Sequence, residues 1–252
     1  MKSFRRLRMF VLVAAISVCR IHAGIPQALG DGGIYGVAIT RDVMVSMRDD
    51  VRLATDVYLP TQDDKPIAER LPTILMRTPY SKGGGEKGHR DAHYFASHGY
   101  AVVFQDTRGR YKSEGVWHWM TDDGRDGADT AAWIGKQPWS NARIGMIGTS
   151  YVGGTQHAMA LAKAPELKTV IPVDAMSNLG WQSLRNAGAF EMRFWNWIFL
   201  NAGRGSNAAV DPGTQAELKE MADQRFTYLR NLPTRRGMTP LRLAPENEDW
   251  LI

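Results

Sequence analysis

Four short apolar runs, at Thr73 to Arg77, Ala101 to Gln105, Arg143 to Thr149 and Thr169 to Val173, constrain this chain more than any other feature. Each has the length of a strand, and the first three are followed by stretches long enough for a helix. A run that is apolar at successive positions, rather than at alternate ones, expects cover on both faces, as a parallel sheet between helix layers provides. Helices are expected up to about His98, around Asp126 to Lys136, and after Thr149. Upstream, Val43 to Met47 and Val51 to Tyr58 alternate in polarity around Arg48-Asp49-Asp50, which reads as a hairpin closed by Pro60. The expected fold class is α/β: an antiparallel hairpin leading into a mostly parallel sheet.

The third run breaks at Gly148-Thr149-Ser150-Tyr151-Val152-Gly153 and delivers one serine into a helix start. A serine hydroxyl is a weak nucleophile unless a sharp turn exposes it beside a base and oxyanion donors, and a strand–turn–helix does so. The common spacing of such an elbow is G-x-S-x-G, whereas Val152 stands two places after Ser150 and the glycine comes one residue late. On this segment alone, a plain turn with Ser150 as helix N-cap is an equal reading.

The formal charge of +5 has a local origin. Lys2, Arg5, Arg6, Arg8 and Arg20 lie in the first 23 residues, which hold no acid, and the remainder carries 26 basic and 26 acidic residues. The charge therefore gives no reason to expect a nucleic acid or an anionic membrane as partner. Basic residues, the apolar run Met9 to Val18 and Ile21-His22-Ala23 as a cleavage site together predict a secretory signal peptide over 1–23, hence an exported protein. The run is too short for a stable membrane span. Cys19 is the single cysteine, so a cleaved product would have neither disulfide nor thiolate chemistry. His89, His93 and His98 lack metal-ligand spacing and are expected on a polar helix surface. No cofactor and no metal is expected.

After Ala175 the chain turns aromatic, with Trp181, Phe190, Phe194, Trp195, Trp197 and Phe199, and a polar amphipathic helix is expected over Gln215 to Asn231. Phe190, Phe194 and Trp197 fall at i, i+4 and i+7 and would share one helix face. Spacing leaves open whether that face packs on the core or lines a pocket.

Several segments, in order, resemble the CocE/NonD hydrolases. They are Met47-Arg48-Asp49-Asp50-Val51-Arg52-Leu53-Ala54, Arg77-Thr78-Pro79-Tyr80-Ser81-Lys82, Gln105-Asp106-Thr107-Arg108-Gly109-Arg110-Tyr111-Lys112-Ser113-Glu114-Gly115, Gln137-Pro138-Trp139 and the Ser150 segment. This group of α/β-hydrolases includes cocaine esterase, α-amino-acid ester hydrolases, glutaryl acylases and X-Pro dipeptidyl-peptidases. The resemblance implies an α/β-hydrolase core with an inserted helical cap, truncated before the end of the core. Residues 24–175 would be the N-terminal part of the core and 176–252 an incomplete cap. It also implies Ser150 as nucleophile in a G-x-S-Y-x-G elbow, the Tyr80 hydroxyl as one oxyanion donor and the Tyr151 backbone N–H as the other.

Other polar motifs have simpler expected roles. Asp106 and Arg108 are expected to brace loops by charge-assisted hydrogen bonds. Asp122, Asp123, Asp126 and Asp129 would cap a helix and favour its dipole. Gly83 to Gly88 lacks the order of a phosphate loop.

In this fold the triad runs Ser, acid, His. His157 is the only histidine after Ser150. Seven residues along the same helix, it would lie about 10 Å away by helical rise. The acid and histidine of the triad are therefore expected outside this chain, which would leave it incomplete and inactive. Three functions stay open: a serine hydrolase of small acyl esters or amides, an X-Pro dipeptidyl-peptidase acting on short peptides, and an inactive fragment or binding module.

Overall fold

The computed structural model describes residues 34–83, 85, 88–176, 185–187, 189–191, 193–202, 211–224, 226–227, 230, 235–237, 240–243 and 245–251. The leader expected over 1–23 and Trp181 lie outside these residues.

The hairpin is β1 (Gly36–Ser46) and β2 (Arg52–Gln62), extended by the two-residue β3 (Lys65–Pro66). It starts earlier than the alternation suggests, because the register shifts between Thr40 and Val43 and Asp42 takes a φ of 55°. That bulge puts the two halves of β1 out of phase, so no single period spans them. Then follow β4 (Leu71–Thr78), α1 (Arg90–Ser97), β5 (Ala101–Asp106), α2 (Asp123–Gly135), β6 (Ser140–Thr149), α3 (Tyr151–Leu161) and β7 (Leu167–Val173). The sheet order is β1-β2-β5-β4-β6-β7, with β3 beside β2. Strands β4, β5, β6 and β7 are parallel, and β2 joins β5 antiparallel.

Neighbouring residues on the central strands face opposite layers. Leu75, Val103, Ile144 and Met146 pack with Ala131 and Ile134 of α2 and Met159 of α3. Met76, Val102 and Phe104 pack with Tyr58 and with Ala92 and Ala96 of α1 on the other side. Helix cover on both faces makes β5 buried at every position, as its apolar run requires.

The fourth apolar run departs from expectation. It was expected to be buried, but Ile171 and Val173 of β7 are 52% and 46% exposed. Among the described residues β7 is the outermost strand, bonded only to β6, so burial on both faces has no second neighbour to supply it.

Beyond Ala175 come a short hairpin of β8 (Arg185–Asn186) and β9 (Ala189–Phe190), then α4 (Arg193–Ala202), α5 (Pro212–Asp223), a 3₁₀ turn (Pro240–Leu243) and α6 (Pro245–Leu251). Phe190 belongs to β9, not to the helix of Phe194 and Trp197, which corrects the expected three-residue face. Helix α5 begins before Gln215 because Asp211 caps it, accepting from Thr214 N at 2.7 Å, with Pro212 opening the first turn. It ends at Asp223, well short of the expected Asn231. Among the described residues no helix is long and apolar enough to cross a membrane.

Candidate active site

Ser150 stands alone between β6 and α3, exposed at the carboxyl end of a parallel strand, with φ 59° and ψ −120°. Such a backbone costs a non-glycine residue about 1–3 kcal/mol and persists only where its surroundings hold it. On the sheet side, Ser150 N donates to Val173 O at 2.9 Å. On the helix side, its carbonyl accepts from Gly153 N and Gly154 N, each at 2.9 Å. The late glycine now has a steric account. A methyl group on Gly148 would lie 2.2 Å from Val152 Cγ1, and one on Gly153 would lie 2.5 Å from the Ala175 side chain. Gly148 thus makes room for a valine where other elbows carry glycine, and Gly153 lets α3 approach the end of β7.

Tyr80 follows β4 through Pro79, and its ring meets those of Tyr151 and Trp197 edge-on at 6.2 and 6.3 Å. Partial burial raises the pKa of its phenol, while hydrogen bonding with the Trp197 and Ser150 side chains pulls it back. The Ser150 side chain is thus among the groups that act on this phenol. Tyr151 opens α3 with a buried ring. Its hydroxyl donates to Asp123 Oδ2 at 2.8 Å and accepts from Trp117 Nε1 and Met120 N, both at 3.2 Å. Backbone N–H groups in the first turn of a helix have no intrahelical partner and stand at the positive end of its dipole.

The loops around these residues are tied by buried charge. Lys82 donates its backbone N–H to Asp106 Oδ1 at 2.7 Å and its ammonium to Asp42 and Asp56, each at 2.6 Å. Arg108 forks to Asp126 at 2.7 Å and Asp49 at 2.8 Å. Both arrangements fasten the segments after β4 and β5. Arg110, also buried, donates to Pro79 O at 2.9 Å and to Asn201 O at 2.6 Å, and stacks 4.4 Å over Trp117. It joins the Tyr80 loop to α4, and burial lowers its pKa to about 10.

The acidic group at α2 does not cap the helix as expected. Asp122 occupies the N-cap position without a side-chain capping bond and takes Arg125 at 2.7 Å. Asp123 and Asp126 flank the fully buried Arg77 at 3.4 and 3.8 Å, and Asp129 takes Arg48 at 2.8 Å. A guanidinium in the core demands nearby carboxylates more strongly than a solvated helix dipole does. Arg77 and Lys82 are the residues that sequence reasoning missed. The signal for Arg77 was a cation ending an otherwise apolar strand.

The histidines settle elsewhere. His89 is the N-cap of α1, its Nδ1 accepting from Asp91 N at 3.3 Å and its ring 4.7 Å from Phe104, so it is partly buried rather than on a polar face. His157 Nδ1 lies 2.9 Å from Met176 O and is engaged there. Among the described residues no group of three or more His, Cys, Asp or Glu is arranged to hold a metal ion.

Phe194 and Trp197 of α4 pack on Trp117, Trp119 and Tyr151, giving the Tyr80 side of Ser150 an aromatic wall. A family model described as X-Pro dipeptidyl-peptidase (S15 family) matches residues 49–250. The chain belongs to this family. Within the S15 family and its relatives, the chain is 41% identical over 220 residues to the cocaine esterase of Rhodococcus sp. (strain MB1 Bresler), covering 84% of this chain and 36% of that one. An α-amino acid ester hydrolase structure aligns with a TM-score of 0.58 at 25% identity, covering 86% of this chain and 39% of that chain. A CocE/NonD family hydrolase from Staphylococcus aureus aligns with the same TM-score of 0.58 at 25% identity, over 74% of this chain and 36% of the other. The chain thus has an α/β-hydrolase core and spans between a third and two fifths of the length of these relatives.

Proposed function

We propose that Ser150 is the nucleophile of a serine hydrolase that cleaves acyl esters or amides through an acyl-enzyme. The observation that carries this reading is the strained Ser150 backbone, which holds an exposed serine at the carboxyl end of β6. Ser150 Oγ attacks the substrate carbonyl carbon and gives up its proton to a base. The carbonyl oxygen becomes an oxyanion that accepts from the Tyr80 hydroxyl and the Tyr151 backbone N–H. Collapse expels the leaving group with a proton, and water then releases the acid and restores Ser150. Two donors aimed at the developing charge lower such a barrier by several kcal/mol.

Among the described residues no histidine is bonded to Ser150. His157 is held at Met176 O, and cocaine esterase is nearly three times as long as the part this chain covers. Without an imidazole beside Ser150, oxyanion donors support only a small residual catalysis. An ester substrate is favoured over an X-Pro peptide by the 41% identity to cocaine esterase, and the aromatic wall of Trp197 and Tyr80 suits an apolar acyl group. The leader over 1–23 directs the protein to export.

A fluorophosphonate probe and a nitrophenyl acyl ester test this reading. Slow labelling that disappears in Ser150→Ala, with ester turnover far below that of an intact serine esterase, is expected. Labelling equal in both proteins refutes the nucleophile, and Ser150-dependent turnover at the rate of an intact esterase refutes the missing base. Release of nitroaniline from an X-Pro nitroanilide in preference to the ester would favour the peptidase.

A further inference from the structure

Tyr151 has two ends with different tasks. Its backbone N–H belongs to the elbow, and its hydroxyl is buried among α2 and the loop before it. That oxygen has one proton and two lone pairs, and all are used: Asp123 Oδ2 accepts at 2.8 Å, while Trp117 Nε1 and Met120 N donate at 3.2 Å. The hydroxyl therefore has a single orientation. The ring is held besides by stacking on Trp119 at 6.3 Å and Trp197 at 6.4 Å.

Asp123 is itself fixed. It is the first residue of α2, with 5% of its surface exposed, and Arg77 Nη1 lies 2.6 Å from its carbonyl and 3.4 Å from Oδ1. Arg77 in turn is held by Gln105 at 2.8 Å on the neighbouring strand. Burial raises the pKa of the Asp123 carboxyl, and Arg77 and the Tyr151 hydroxyl counter it. Arg77 also precedes Tyr80 by only Thr78 and Pro79. One buried ion pair thus carries Tyr80 through the chain and Tyr151 through the Asp123 carboxylate.

We propose that Asp123 is a positioning residue for the reaction at Ser150: by accepting a hydrogen bond from the Tyr151 hydroxyl it fixes where the Tyr151 backbone N–H points. This rests on the reading of Ser150 as nucleophile and Tyr151 N–H as oxyanion donor. The strained Ser150 turn needs an anchor on its helix side, and the ring of the next residue, bonded at its far end, supplies one. A charge-assisted bond is shorter and stronger than a neutral one, which suits an anchor that must hold a donor to within a fraction of an ångström.

The full chain tests this with Tyr151→Phe, which keeps the ring, Asp123→Asn, which keeps the shape, and the pair together. Three quantities are read: the rate of Ser150 labelling by a fluorophosphonate, the thermal midpoint, and deuterium uptake over 148–154. Each single variant is expected to label about 10- to 100-fold more slowly, as for a misdirected oxyanion donor. The double variant should be no slower than the slower single, since Tyr151→Phe removes the bond that Asp123→Asn only strips of its charge. Uptake over 148–154 should rise while that over 101–106 stays unchanged. Unchanged labelling, or losses that multiply in the double variant, overturns the proposal. If wild type labels no faster than Ser150→Ala, the nucleophile reading fails separately, and deuterium uptake alone decides the anchor: unchanged uptake over 148–154 in both single variants refutes it.

Discussion

Replacing Asp106 with asparagine should make the protein's stability respond differently to pH. Asp106 ends β5 with 1% of its surface exposed and accepts the Lys82 backbone N–H at 2.7 Å. Burial pushes its pKa from 3.8 to about 6, the Lys82 backbone bond and ammonium and the Lys112 backbone N–H opposing the rise. Between roughly pH 4 and pH 6 the folded protein holds a proton there that the unfolded chain has lost. Because the folded pKa is the higher one, this contribution to stability is complete below about pH 4 and is lost as pH rises through about 6. About two units at about 1.36 kcal/mol each give about 3 kcal/mol. Asp106→Asn cannot titrate, and the constant cost of the amide is the same at every pH. The stability of the variant relative to wild type should therefore rise by about 2.4 kcal/mol between about pH 4 and pH 7, roughly 5–10 °C in Tm for a domain of this size. Asp42 beside Lys112, Asp49 beside Arg108 and Glu114 beside Arg52 have lowered pKa values and act with the opposite sign, but both proteins carry them and they cancel. Urea unfolding of the two proteins at both pH values measures the difference. A separation that is the same at pH 4 and pH 7 would refute the assignment of a raised pKa to Asp106.

Arg77→Met leaves Asp123 buried without its cation, Asp126 with Arg108 alone and Gln105 Oε1 with Thr130 as its remaining donor, so a loss of about 3–5 kcal/mol is expected in urea unfolding. Gly148→Ala drives a methyl to 2.2 Å from Val152 Cγ1 at a φ of 155° and should cost about 1–3 kcal/mol, with thermal unfolding as the measure. Loss of less than about 0.5 kcal/mol would show that α3 shifts to accommodate it, contrary to tight packing of Gly148 on Val152. Tyr80→Phe keeps the edge contacts with Tyr151 and Trp197 but removes the phenol, so fluorophosphonate labelling of Ser150 should slow about 100- to 1,000-fold while Tm moves by only a few degrees.

The sequence by itself determined what depends on neighbours along the chain. Apolar runs located β4 to β7, the glycines around Ser150 marked the elbow, and Asp211-Pro212 could have marked the start of α5. These signals were legible because period, backbone strain and capping act within a few residues. The ordered motifs also pointed to the hydrolase family and to Ser150 and Tyr80 together. Where a strand carried a bulge, as β1 does at Asp42, the period failed and so did the boundary. Tertiary structure alone decided what each polar side chain faces. The Arg77 guanidinium meets Asp123 across 46 positions, and the Tyr151 hydroxyl meets it across 28. Read locally, those aspartates belonged to a helix start; folded, they flank a buried arginine, and Asp123 also takes the hydroxyl of the residue beside Ser150. The burial of β7 was likewise not legible in its composition. The reason is the same in each case: an apolar or charged residue states a need for cover or for a partner, and only the packing of distant elements says whether, and by what, that need is met.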